Sequence, residues 1–138
     1  MQVVTPEEAF PHIATVGNPA AFFDGYDAFL CYEASVQPGG GNVVLKFADV
    51  IDFRITPMNV EGLRACRYPV KPWAFNEIVG SEEAAKWKVF NPRLWLISFQ
   101  DITIEVLFET VSFISLDTER AVPQSTLIDV VNQMARVP

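Results

Sequence analysis

The stretch Arg93–Leu107, RLWLISFQDITIEVL, alternates from residue to residue on both sides of Gln100-Asp101. That is the period of extended chain and not of a helix. Folded at Gln100-Asp101, it sets Phe99 opposite Ile102, Ile97 opposite Ile104 and Trp95 opposite Val106, so six large apolar side chains share one face. The other face sets Ser98, Leu96 and Leu94 against Thr103, Glu105 and Leu107. Glu105 marks that second face as the less buried one, partly open to water. The oily face must be covered, and the C-terminal helix described below is its expected cover.

Outward from this hairpin the same period recurs. From Tyr26 to Val36, Tyr26, Ala28, Leu30, Tyr32, Ala34 and Val36 fall on one side, and Asp27, Phe29, Cys31, Glu33 and Ser35 on the other. This reads as a half-buried strand after an Asp24-Gly25 turn. QPGGGN at 37–42 reads as the loop of a hairpin, because three consecutive glycines leave the backbone too free for regular structure. It lacks the Lys-Ser/Thr ending of a phosphate-binding loop. The next run has Val43, Leu45 and Phe47, then Ile51, Phe53 and Ile55, on odd positions, with Asp49 interrupting. A lone buried carboxylate is costly, so the chain is expected to bend at Ala48-Asp49 and turn that side chain to solvent. PMNVEG at 57–62 reads as a loop, and Cys66, Tyr68 and Val70 as one side of a further strand. VSFISL, at 111–116, either prolongs the late hairpin strand or begins another.

Three helices are expected. Thr5-Pro6-Glu7-Glu8 forms a capping box, cut to about one turn by Pro11. Ser81 caps a short helix with Glu82 and Glu83 in its first turn and Lys86 four residues after Glu82. A longer C-terminal helix follows Pro123, capped by Ser125, with Asp129 near its start, Arg136 near its end and Leu127, Ile128, Val131 and Met134 on its buried stripe. Successive strands with short gaps favour antiparallel pairing over parallel crossovers. The expected fold is α+β and mainly antiparallel β: one domain over 1–138, a curved sheet or two-layer sandwich of about six strands with the C-terminal helix packed on it.

At 138 residues, 50% hydrophobic and with eleven Phe, the chain has the means to bury a core; a chain of this length removes about 68% of its unfolded surface from water. No apolar run approaches the ~18 residues of a membrane helix, and MQVVTPEEAF has no basic region followed by an apolar one. A cytoplasmic location without membrane attachment is the expectation. The net charge of −7 argues against nucleic acid, whose phosphates repel an acidic surface. The charge is uneven. Residues 64–93 hold six of the ten basic residues against three acids, and the rest of the chain has the other four against fourteen. A solvated surface accounts for that pattern by itself.

Chemistry-bearing sets are few. Cys31 and Cys66 are far apart with no CxxC pair, and Cys31 is expected as a buried thiol. Two Cys and one His fall short of a four-ligand zinc site, and no motif calls for a cofactor. His12 lacks a nucleophile elbow to serve. Among the acids, Asp24 and Asp27 flank a Gly as turn residues do. Glu105 and Glu109, read on one strand face, would be roughly 13 Å apart at about 3.3 Å per residue, beyond the ~5–9.5 Å at which glycosidase carboxyls cooperate. Trp73, Phe75, Trp87 and Trp95 either fill the core or line a groove for a ligand.

The segments AFFDGYDAFLCYEAS, NVVLKFADVIDFRI and PRLWLISFQDITIEVLFETVSFI together resemble a pattern in small β-rich immunity proteins of bacterial polymorphic toxin systems and in related uncharacterised bacterial families. The matching residues are Phe23, Asp24, Leu45, Phe47, Val50, Asp101, Ile104 and Glu105. Phe22 stands near where that pattern often has a His. The resemblance implies a non-enzymatic binder whose acidic surface occludes a basic partner, in line with the negative charge. The candidate binding residues are Asp24, Asp27, Asp49, Asp101, Glu105, Glu109 and Trp73. Two alternatives stay open: a ligand-binding β-fold or minor hydrolase using Asp49, Glu105 or Glu109, and a homodimer or larger assembly joined along an exposed strand edge.

Overall fold

A computed structural model describes residues 1–35, 40–58, 62, 69–119 and 121–135. The described residues form two antiparallel sheets facing each other. One has five strands, in the order β1 (Gln2–Val4), β6 (Phe75–Val79), β7 (Arg93–Ser98), β8 (Ile102–Phe108), β5 (Asp52–Pro57). The other has four, in the order β2 (Ala20–Phe23), β3 (Ala28–Glu33), β4 (Asn42–Ala48), β9 (Thr110–Asp117). The two-layer sandwich is therefore the right form of the expected α+β fold. Among the described residues it has nine strands where about six were expected, because β1 and β2 are too short to show alternation and β6 follows a proline-rich stretch.

The β7–β8 hairpin has the expected register: Trp95 pairs with Val106, Ile97 with Ile104 and Ser98 with Thr103, and the Phe99 N–H donates to the Ile102 carbonyl at 2.9 Å. Its oily face is covered by the second sheet and not by the helix. Trp95, Ile97, Phe99, Ile104 and Val106 share one core cluster with Ala28, Leu30, Tyr32, Val43, Leu45 and Phe47. Both sheets alternate, so each offers the other a complete apolar face, and the core between them is rich in edge-to-face rings. Phe47, Trp95 and Phe108 meet pairwise at centroid separations of 4.9 to 5.7 Å.

Glu105 itself stays partly exposed, but most of the face that carries it is covered. Leu94, Leu96 and Leu107 are buried in a second cluster with Ile78, against Val3, Ile51, Met58, Val70 and Ala84. Ala84 of the short helix Glu82–Ala85 and Met58 and Val70 from the connection after β5 pack on it, which the strand pattern alone did not reveal. β3 is likewise buried on both faces: its outward Phe29 and Cys31 sit with Val44 under the C-terminal helix. Burial, followed by the charge of Asp117, pushes the Cys31 thiol up to about 12.

That helix, α2, spans Pro123–Ala135 and starts earlier than expected. Pro123 is its first residue, and the Val122 carbonyl accepts the Ser125 and Thr126 N–H groups, so Ser125 lies inside the first turn. Its buried stripe is Leu127, Val130, Val131 and Met134, the i, i+3, i+4, i+7 set, and Ile128 is 59% exposed. Arg136 lies outside the described residues. The short helix α1, Glu82–Ala85, forms as expected, with Ser81 Oγ accepting the Ala84 N–H at 3.1 Å. No helix forms at residues 5–8, where the Glu8 carboxylate that would close a capping box is held by Arg93. Of the strand expected around Cys66, Tyr68 and Val70, only Val70 is described, and it is irregular.

The bend at Asp49 is real and larger than a bulge. Asp49 has φ 54°, and there the chain leaves one sheet for the other, β4 running into β5. Glu109 makes the return crossover from β8 to β9, so VSFISL belongs to a new strand. The two crossovers lie side by side: the Glu109 N–H donates to the Ala48 carbonyl at 3.2 Å, the Ile51 N–H to Leu107 at 2.7 Å and the Val50 N–H to Tyr26 at 2.7 Å. This corner, laced by backbone hydrogen bonds from both sheets, carries the candidate site.

Candidate protein-binding site

The corner is built from turn chemistry. At the β2–β3 turn the Asp24 carboxylate accepts the N–H groups of Tyr26 and Asp27, both at 2.8 Å. These bonds, Asp27 first, hold its carboxyl below the usual range. Gly25, at φ +98°, supplies the left-handed residue that the tight turn needs. Asp27 then reaches the neighbouring crossover. Its carboxylate accepts the Asp49 N–H at 3.2 Å and lies 3.7 Å from Lys46 Nζ. Asp49 stands beside Glu109, whose N–H donates to the Ala48 carbonyl at 3.2 Å, and the Glu109 carboxyl is pushed up first by desolvation and then by Asp49. Like charges this close hold a proton between them more tightly than either would alone.

The structure thus links Asp24, Asp27, Asp49 and Glu109 in one chain of contacts along the crossover end of the sandwich. Tyr26, 78% exposed, stands among them, and Phe23 stacks on Phe53 with centroids 5.5 Å apart at the same end. Sequence alternation placed Tyr26 on one face of a strand with Ala28, Leu30 and Tyr32, but the strand begins only at Ala28. The preceding Asp-Gly turn was the signal that Tyr26 belongs to a loop.

The other three candidates lie elsewhere. Asp101 sits at the opposite end, in the β7–β8 turn, where its N–H donates to Asn18 Oδ1 at 2.9 Å and its carboxylate accepts from Asn18 Nδ2 at 3.2 Å. That pins the loop before β2. Trp73, at φ 48°, is also at that end, just before β6. Glu105 is on the covered outer face of the five-stranded sheet, 3.7 Å from Arg54. Glu105 and Glu109 therefore do not share a strand face, since β8 ends at Phe108 and the crossover turns Glu109 away.

A second polar centre escaped the sequence reading. Arg93, at the start of β7, holds Glu8 with two bonds of 2.6 and 2.8 Å and Glu77 with two more of 3.0 and 2.8 Å. Its guanidinium lies 5.3 Å from the Trp95 ring centroid and 5.7 Å from that of Phe108. The Arg93 hydrogen bond lowers the Glu8 carboxyl, and the two carboxylates, Glu8 first, raise the guanidinium. All of Arg93's fork is committed, so it is a clamp between the N-terminal segment and the sheet. An open groove of about 510 Å³ beside it is lined by Glu77, Ser81, Lys88, Arg93 and Glu109. Of Asp49, Glu105 and Glu109, only Glu109 lines it.

Among the described residues, no three His, Cys, Asp or Glu side chains are placed to hold a metal ion, and no helix is long and apolar enough to cross a membrane. No protein-family model, curated protein or solved structure matches the chain.

Proposed function

We propose that this chain is a small protein-binding module whose acidic crossover corner docks a basic protein partner, in the manner of an immunity-type inhibitor that occludes a toxin-like protein. The observation that carries this reading is that Asp24, Asp27 and Asp49 are joined by hydrogen bonds around the exposed ring of Tyr26, and that the crossover holding Glu109 is bonded to the one holding Asp49. Aromatic side chains ringed by charge supply contact area and steering together, and an acidic patch speeds encounter with a cationic surface. The corner is also rigid before binding, since backbone hydrogen bonds from three segments meet there; a preformed site loses less entropy on association.

The test is a paired capture. Wild type and the variant carrying Asp24→Asn, Asp27→Asn, Asp49→Asn and Glu109→Gln are used as bait at low salt, and any protein retained is purified and titrated against each. The reading requires a basic protein that binds wild type at least tenfold more tightly than the variant, by an amount that shrinks as salt screens the charges. A partner of acidic charge, or equal binding to both baits, refutes it.

A further inference from the structure

The two sheets leave four strand edges, and three are blunted. β1 has only three residues and β2 four. β5 carries Asp52 and Arg54 and ends in Pro57, and charge and proline are what keep an edge from pairing. β9 has none of these defences. It runs for eight residues, TVSFISLD, with no charge or proline from Thr110 to Leu116. Among the described residues it pairs only with β4, with one bulge at Ile114. Its other backbone edge makes no hydrogen bond with the described residues. Thr110, Ser112, Phe113 and Leu116 are exposed, the last two at 46% and 45%. Such an edge is a template for one more strand.

Charge defines what that strand is. Asp49 and Glu109 stand at the first end of β9, and Asp117 and Glu119 at the other. None of the four makes an ion pair with a described residue. A second copy lying antiparallel would bring the acids at one end of its own β9 against those at the opposite end of this one, and like charges directly opposite are destabilising. An extended segment that is basic at both ends and alternates apolar residues between them meets no such penalty. We infer that β9 is a docking edge that takes an added β-strand from a basic protein partner, its open backbone giving affinity and its acidic ends selecting charge. This rests on the reading above and extends it: the corner forms one end of the docking edge.

The probe is the ten-residue peptide KKVTITVTKK, used in three forms: as it stands, with its terminal lysines replaced by glutamates, and with alternate backbone amides N-methylated. The expected result is binding of the first form by calorimetry, with amide exchange of Thr110–Leu116 slowed. The glutamate and N-methylated forms should bind about tenfold more weakly or worse, since each loses a set of charge contacts or of backbone hydrogen bonds. Asp117→Asn with Glu119→Gln, two surface changes far from the corner, should weaken the first form several-fold. Equal binding by the N-methylated form, or protection that spares β9, overturns the docking edge. A concentration-dependent dimer that protects β9 without peptide also overturns it, in favour of a second copy. If the corner variant loses the lysine peptide while N-methylation has no effect, the acidic corner stands and the strand edge falls, so the two readings fail separately.

Discussion

Replacing Arg93 by Met keeps the apolar stem against Trp95 and Phe108 but leaves Glu8 and Glu77 facing each other without their shared cation. The side chains of Arg93, Glu8 and Glu77 are 28%, 26% and 16% exposed. The clamp therefore falls between a surface pair, at about 0–1 kcal/mol, and a fully buried pair broken on one side, at about 3–5 kcal/mol. Four charge-assisted bonds in two forks place the loss for Arg93→Met at about 3 kcal/mol, and the coupling of Arg93 to Glu8 alone at about 1.5 kcal/mol. At about 3–5 °C per kcal/mol for a chain of this size, the melting temperature should drop by about 10 °C. The assay is urea unfolding of wild type, Arg93→Met, Glu8→Gln and the double variant, which isolates the pairwise term. The sign with pH follows from the lowered Glu8 carboxyl: its contribution is complete above the ordinary glutamate range and is lost as pH falls through the depressed one. A coupling below about 0.5 kcal/mol at neutral pH, where a surface pair would lie, refutes the clamp.

Four further outcomes follow from the same structure. Trp95 is fully buried yet its indole N–H has no partner among the described residues, so Trp95→Ala should cost about 3–5 kcal/mol while Trp95→Phe costs well under half of that, measured by denaturant unfolding. Leu127→Ala should cost about 2–3 kcal/mol, and Ile128→Ala, on the exposed side of α2, less than about 0.5 kcal/mol; similar losses would place the helix stripe wrongly. At Gly41, with φ +101°, an added Cβ would sit 2.8 Å from the Asp117 carbonyl oxygen, so Gly41→Ala should cost about 2 kcal/mol or more and loosen the β4–β9 pairing, visible as faster amide exchange in β9. The raised Glu109 carboxyl stabilises the fold below the ordinary glutamate range, and that contribution disappears as pH rises through the raised value. Asp49→Asn should bring the Glu109 titration, followed by carboxyl NMR, back toward normal, and a basic partner should bind wild type more tightly as the pair loses its proton.

What the chain order revealed was the part governed by local periodicity. The Phe99–Ile102, Ile97–Ile104 and Trp95–Val106 pairs could be placed because a two-residue period and a polar turn define a register without knowledge of the rest of the molecule. The Ser81 cap was readable for the same reason. What covers each face was not readable, because it depends on which elements return across the sheet. Leu94 and Leu96 needed Met58, Val70 and Ala84 to be buried, and the oily hairpin face found β3 and β4 where a helix was expected. The candidate site divides in the same way. Asp24 and Asp27 announce a turn in four residues. Their junction with Asp49 and Glu109 spans 85 positions and comes only from two crossovers meeting at a corner, and nothing near Glu8 hints at Arg93.

The passage of the chain between sheets bears on how the molecule can assemble. Strands 20–48 begin the four-stranded sheet, but its last member arrives only after β5 to β8 have been laid into the other one, so neither sheet is a contiguous piece of sequence. Closing β4 against β9 joins Asn42 to Asp117, a long-range step that is entropically costly until the intervening strands have condensed. Unfolding should accordingly be all-or-none, and a fragment ending before Glu109 should remain without a settled tertiary structure until a peptide supplying the missing strand is added in trans.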